Sequence, residues 1–450
     1  MKFILMLVFG LFVGGCAHKS QFPNHRISSE DLKLTIPKRF EQYGHNDDVS
    51  IILTFSGGGT RAAAFAYGVM QGLKETPIQL NSTSQVEMLS LVDVISSVSG
   101  GSFTSAYYGL FGDKLFTDFE ADFLKTTLQS RLTRQLLVNP INWFRFMSGN
   151  YNRSDLTAQH YQKHIFKDKT FADMRSDAPL IMINATDIAT GAGFTFSDEH
   201  FRWLCSDLSA FPVGKAVTAS SAVPVLFSPV LIKNHGGCLP YEFQLETISD
   251  EIRYQQQALI MRRFLDKERY PYLHLVDGGV ADNLGVRAIL NQIYGQDNNF
   301  WQTLKAYRLD HTKKVLFLVV NAAATLNGEL SKSPKTPGLT DTLNAVTTIQ
   351  SQNYNADTLD LLELSAPKWQ AQVREGRCQE YFSADCNDFS FHVTELNFTH
   401  VGEPLASELA TIATALQLPD EQVDKLIAAG KDLVRQSPVV QSFIKEIEAK

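Results

Sequence analysis

The chain has 450 residues, 44% of them hydrophobic and 20% charged, which is enough to bury a large core in one big domain or two. A formal net charge of −7, without a basic run or a basic-aromatic stripe, argues against electrostatic capture of nucleic acid. The acidic balance gives no long-range attraction to anionic membranes, so membrane contact has to come from a particular segment.

That segment is the N-terminus. Lys2 supplies a positive end, Phe3 to Val13 form an apolar stretch broken only by Gly10, and Val13-Gly14-Gly15-Cys16 closes it with small residues before a cysteine. The apolar run is too short for a bilayer span, which needs about 20 residues, and reads as a secretory signal. Its last four residues resemble the lipobox of bacterial lipoproteins. The resemblance implies a signal peptide over 1–15, cleavage before Cys16 and acylation of that cysteine, an anchor to which each buried methylene adds roughly 0.8 kcal/mol. With Ala17 after the cysteine, it also implies a cell-envelope protein lipid-anchored in the outer membrane. Residues 16–46, polar and carrying Pro23 and Pro37, read as a tether. The other four cysteines are Cys205, Cys238, Cys378 and Cys386. An exported chain permits two disulfides among them, and proximity suggests Cys378–Cys386 and Cys205–Cys238, with four buried thiols as the alternative.

From Val49 the pattern changes. Val49 to Phe55 is a β-rich run that stops at Ser56-Gly57-Gly58-Gly59, and a small-residue helix follows from Ala62 to Leu73. Leu91 to Ser96 is a second run ending near a glycine pair, with a helical stretch from Phe103 to Leu110. Strand, glycine turn and helix, repeated, predict a parallel α/β sheet with ligands at the strand C-termini. Further strands are expected at 180–184, 273–276, 315–320 and 389–393. Helical insertions are expected at about 113–175, with Trp143, Phe144, Phe146 and Met147, and at about 240–269; one amphipathic helix ends the chain from about Asp420. The aromatic residues around Trp143 read as the first insertion's own small core, with a lipid-dipping lid as the alternative.

Three glycine turns carry chemistry. In Ser97-Val98-Ser99-Gly100-Gly101, Ser99 has the setting of a nucleophile on a sharp strand-to-helix turn, where G-x-S-x-G is usual. Gly101 fills the second glycine position, and Ser97 stands in for the first. Gly57, Gly58 and Gly59 open a helix after a buried strand, so their N–H groups suit a developing oxyanion. Arg61 adds fixed positive charge beside them, or pairs with an acid at the surface. The rival phosphate loops G-x-x-x-x-G-K-[ST] and G-x-G-x-x-G are absent. Finally, Asp277-Gly278-Gly279 places a carboxylate at a strand end, able to act as base in direct contact with a hydroxyl, although an Asp that only caps a turn looks the same.

The order and wording of these elements resemble the patatin-like phospholipase family, marked by a Gly-rich oxyanion loop, a serine elbow and an Asp-Gly-Gly motif. Asn184-Ala185-Thr186-Asp187 with Thr190-Gly191, and the stretch Ala216 to Pro224 followed by Phe227-Ser228-Pro229, also fit. The resemblance implies an α/β fold, a patatin-like three-layer sandwich with a mostly parallel central sheet. It implies a catalytic domain at 47–330 and a C-terminal extension at 331–450 packed on it. It implies a serine acyl hydrolase of the phospholipase A or lipase type, acting on a phospholipid or other acyl-ester lipid through a Ser99–Asp277 dyad and an acyl-enzyme. Gly57 to Gly59 with Gly100 form the oxyanion hole, Arg61, Gly278 and Gly279 support the site, and no cofactor, metal or nucleic acid is called for.

Alternatives stand beside this reading. A lipid transacylase shares all these residues, and a lapsed, lipid-binding lipoprotein is kept open by Ser97. A Ser-His-Asp triad would need His274, but residues three apart on a strand point to opposite faces. Asp282 competes with Asp277 as base, from a loop rather than a strand end.

Overall fold

The computed structural model describes residues 22–30, 48–127, 130, 151–224, 226–238, 252–324, 334–380 and 386–449. The signal segment, Cys16 and the aromatic residues Trp143 to Met147 lie outside them.

The sheet grows from runs with no polar face to spare. β1 (Val49–Phe55) is buried throughout, and β4 (Val92–Val98) and β9 (Lys314–Asn321) nearly so, as expected of strands covered on both sides. β5 (Leu180–Asp187) and β8 (Tyr272–Asp277) carry the site, with β6 (Ala192–Phe196), β7 (Val230–Lys233) and β10 (Ser390–Asn397) around them. The eight strands are ordered β10-β9-β1-β4-β5-β8-β7, with β6 paired to β5 off that line; a separate hairpin joins β2 (Pro77–Asn81) and β3 (Ser84–Glu87). The five strands from β10 to β5 run parallel. β6 and β8 are antiparallel to β5, and β7 is antiparallel to β8.

Helices cover both faces. On one lie α1 (Gly59–Lys74), α2 (Gly100–Phe111), α4 (Val213–Ser220) and α9 (Asp420–Gln436), with α3 (Arg153–His160) beside α4. On the other lie α6 (Val286–Tyr294), α7 (Phe300–Ala306) and the 42-residue α8 (Leu339–Glu380), and α5 (Ile252–Leu265) packs beside α6. This is the mixed α/β architecture with a mostly parallel central sheet. Among the described residues, no helix is long and apolar enough to cross a membrane.

The structure departs from the sequence reading in one place and sharpens it in others. The expected final helix is two, because Ser437 leaves helical geometry and caps α10 (Pro438–Glu448), whose first residue has no N–H to continue α9. β10, from the segment read as an extension, pairs with β9 over its whole length and so belongs to the central sheet. In the described part of the first insertion, Phe123 stacks on Phe103 and Phe119 packs at a tilt against Tyr107, both within the main core. Both suggested disulfides, Cys205–Cys238 and Cys378–Cys386, are formed.

Candidate active site

Ser99 is the single residue between β4 and α2, and its φ of 50° and ψ of −118° lie where non-glycine residues are rarely found. Such a bend lifts the side chain off the strand end and needs support from its surroundings. Ser102 N–H donates to the Ser99 carbonyl at 3.1 Å, and Ser99 N–H donates to Ser220 Oγ at 2.9 Å. The backbone is crowded: a Cβ at Gly100 would sit 1.9 Å from the Gly59 carbonyl oxygen, so only glycine fits. Ser97 fits where glycine was expected. It is fully buried, with its Oγ 2.6 Å from Ser105 Oγ and donating to the Met182 carbonyl at 3.2 Å.

Asp277 reaches this point by an antiparallel route. Val98 ends β4 opposite Asn184, but β5 runs on to Asp187. β8 comes in along that overhang from outside the sheet edge, and its last residue, Asp277, pairs with Ala185. Its carboxylate therefore meets the nucleophile's side chain from above. Ser99 Oγ donates to Asp277 Oδ2 at 2.8 Å, and Gly279 N–H donates to Oδ1 at 2.8 Å. Burial pushes the carboxyl pKa up to about 6, against the opposing pull of these two hydrogen bonds. A proton acceptor tuned near neutrality is what base catalysis at moderate pH needs.

The donor loop faces the same point. Gly58, with φ 143°, turns the chain into α1. Among the described residues no acceptor meets the N–H groups of Gly58, Gly59 or Gly100. Gly59 and Gly100 are the first residues of α1 and α2, so two helix N-termini add their partial positive charge there.

A family model described as patatin-like phospholipase matches residues 53–290, more than half of the chain. The chain belongs to that family. Membership carries hydrolysis of lipid acyl esters as the general activity. Curated proteins give no match. Among solved structures, human GIVD cytosolic phospholipase A2 is similar at 12% identity and a TM-score of 0.44, over 97% of this chain and 69% of that one. The same human enzyme in complex with methyl γ-linolenyl fluorophosphonate gives 12% identity and a TM-score of 0.38, over 96% and 67%.

Within this patatin-like site, one sequence assignment changes and another gains buried partners. Gly57 N–H already donates to the Asn283 carbonyl at 2.9 Å, leaving Gly58, Gly59 and Gly100 as the open donors. Gly57 serves by being small, since a Cβ there would lie 2.5 Å from Asn283 Oδ1 and 3.3 Å from Ser99 Cβ. Among the described residues Arg61 pairs with no acid, and its Nη2 lies beside Gly58 of the donor loop, 3.1 Å from where a Cβ there would sit. It is only 3% exposed, and its guanidinium donates to the Ala322 carbonyl at 2.8 Å and to that of Ile412. Burial lowers its pKa to about 10, so it stays charged while tying α1 to the end of β9 and to the 412 turn.

The rivals of Asp277 have other work. His274 points outward from β8, exposed, while Asp277 is buried. Asp282 is buried, and its carboxylate accepts the N–H groups of Leu284, Gly285 and Arg287, which shapes the turn into α6. Gly278 and Gly279 support the dyad by closeness and by donation: a Cβ at Gly278 would sit 2.3 Å from the Asn184 carbonyl oxygen.

Three further residues complete the site. Ser220 Oγ accepts from Ser99 N–H and donates to the Asn184 carbonyl at 2.6 Å. Asn184 Nδ2 donates to Ser96 Oγ and to the Ser97 carbonyl, fixing β5 to the elbow strand. Thr186 Oγ1 donates to the Gly278 carbonyl and accepts from Ala281 N–H, holding the Asp277 turn. Asn283 stands between the donor loop and that turn. Among the described residues, no three His, Cys, Asp or Glu side chains are grouped to hold a metal ion.

Proposed function

We propose that the protein is a serine acyl hydrolase of phospholipase A or lipase type, acting on membrane lipids from a cell-envelope position with Cys16 acylated. The observation that carries it is the 2.8 Å hydrogen bond from Ser99 Oγ to Asp277 Oδ2, made from a strained elbow, with no histidine in the path among the described residues. As Ser99 attacks an ester carbonyl, Asp277 takes its proton, and the tetrahedral oxyanion forms against the N–H groups of Gly58, Gly59 and Gly100. One such donor is worth about 2.7–4 kcal/mol in comparable sites. Asp277 then returns the proton to the leaving alcohol. In the second half it deprotonates water, which attacks the acyl-Ser99 ester and releases the fatty acid.

A fluorophosphonate probe tests this directly. Wild type is expected to label and Ser99→Ala to stay unlabelled; an unlabelled wild type, or equal labelling of both, would sink the reading. Product analysis on phospholipids and glycerides then identifies the acyl position.

A further inference from the structure

Residues 22–27 belong to the segment that the sequence presents as a tether, yet they are strapped to the domain. Asn24 is 2% exposed; its Nδ2 donates to the Lys233 carbonyl at 2.7 Å and to Ser206 Oγ at 2.8 Å, and its Oδ1 accepts Lys233 N–H at 3.0 Å. Ile27 N–H donates to the Cys205 carbonyl, Asp207 N–H donates to that of His25, and the His235 ring meets the Asn24 carbonyl at 3.1 Å. Phe22 stacks on Tyr272 with ring centroids 5.4 Å apart, and Lys233 Nζ lies 5.9 Å from the Phe22 ring. From Phe22 back to Cys16 is six residues, at most about 20 Å of extended chain. Whatever Cys16 is fastened to therefore lies close to this face.

The face has the chemistry of a lipid contact. Tyr272 and His274 point out of β8 while Leu273 and Leu275 are buried, and Lys233 and Leu231 of β7 stand directly opposite them. Ile188, half exposed, bonds through its N–H to the His274 carbonyl and extends the surface. On a chain of net charge −7, Arg26 and Lys233 stand here near the His235 ring, and among the described residues neither has an ion-pair partner; Lys267 is turned inward onto the Trp203 carbonyl and Asn234 Oδ1. Aromatic rings with basic side chains around them suit the headgroup region of an anionic bilayer.

Its place in the fold gives it a purpose. β8 enters from beyond the catalytic edge, so Tyr272, five residues before Asp277, stands roughly 17 Å further out on the side where the dyad lies. Val280, in the turn after Asp277, and Leu226, in the loop after Ala222, are large exposed apolar side chains. Ala222 itself accepts the Asp277 N–H.

We propose that the outer face of β7 and β8, with residues 22–27 strapped across it, lies on an anionic lipid bilayer, and that this strap, not a free tether, aims the catalytic edge at the membrane. The inference rests on the envelope and lipid-hydrolase reading for its setting, but its test needs no turnover. Full-length Ser99→Ala protein is reconstituted into phosphatidylglycerol-containing vesicles with brominated acyl chains, carrying a fluorophore at His274→Cys or at Leu364→Cys. Leu364, 79% exposed on α8, is the distant reference. Quenching at position 274 is expected to exceed that at 364 by at least about threefold, and to fall to the reference level with Lys233→Glu or in phosphatidylcholine vesicles. Melting curves equal to those of the unlabelled protein certify the fold. Equal quenching at the two positions, stronger quenching at 364, or indifference to both the charge reversal and the lipid charge overturns the inference. A wild type that fails to label with fluorophosphonate while position 274 is quenched overturns the hydrolase reading alone.

Discussion

Ser220 and Ser99 are joined by a hydrogen bond that has no part in proton transfer: the Ser99 N–H donates to Ser220 Oγ at 2.9 Å, and that hydroxyl donates onward to the Asn184 carbonyl. The relay links the end of α4 and the overhanging strand β5 to the backbone of the elbow. Ser220→Ala takes the acceptor from two buried donors, Ser99 N–H and the Ser102 hydroxyl 2.9 Å away, and the donor from the Asn184 carbonyl, at a cost of about 1–3 kcal/mol. The strained φ of Ser99 then loses a support, so kcat is expected to fall with little change in KM on a soluble ester, and the melting temperature to drop. Steady-state kinetics beside a melting curve check both; an unchanged kcat would make the relay merely structural.

Asp277 sets the pH dependence. With its pKa raised to about 6 by burial, turnover should rise with pH and level off above about 7, and the acid limb of kcat/KM should report that group in the free enzyme. The same shift bears on stability. The folded value exceeds the unfolded reference of 3.8, so the folded state binds the proton more tightly; the contribution is fully present below about pH 4 and is lost as pH rises through about 6. Asp277→Asn removes a buried carboxylate while keeping an acceptor for Ser99. The variant is expected to lose turnover, and its stability relative to wild type is expected to rise between pH 4 and pH 8. Denaturant unfolding at both pH values reads the sign.

The three glycine turns were legible because each combines a local rule with a chemical need: a buried strand, residues small enough for a crowded backbone, then a helix. The parallel half of the sheet follows from the same repetition. What escaped is what depends on distant partners. Nothing in Tyr272 to Asp277 shows that the strand runs antiparallel along an overhang of β5, because the direction is set by the 184–187 extension. Gly57 looked like a donor until the Asn283 carbonyl, far along the chain, took its N–H. The sequence neighbours of Arg61 do not reveal its hydrogen-bond partners, which are the carbonyls at 322 and 412. Ser220 and Asn184 were visible only as family wording, and their roles exist only where α4, β4 and β5 meet.

Arg61 has a distinct signature. Its planar guanidinium answers carbonyls on two separate elements from a buried position, and neither Lys nor an apolar chain reproduces that fork. Arg61→Met strands two buried carbonyls, and Arg61→Lys brings a more strongly hydrated charge into the same space. Both are expected to destabilise by about 2–4 kcal/mol, Lys no better than Met. Labelling by a fluorophosphonate should survive in the fraction that stays folded. If Arg61→Lys kept full stability and Arg61→Met lost only kcat, the charge would be acting at the oxyanion instead.

The two disulfides are expected to contribute unequally. Cys205–Cys238 closes a separation of 33 residues and Cys378–Cys386 one of 8. On the chain-entropy account the longer loop contributes about 4 kcal/mol and the shorter about 2.5. The longer bridge also holds the turn on which the strap sits, since Ile27 bonds to the Cys205 carbonyl and Cys238 N–H donates to Cys205 Sγ. Replacing Cys205 and Cys238 together by Ser should therefore lower the melting temperature more than replacing Cys378 and Cys386. It should also increase proteolytic cutting at residues 22–30, which the second pair of replacements leaves intact. Equal cutting in both variants would show that the strap is held by Asn24 and Lys233 without help from the bridge.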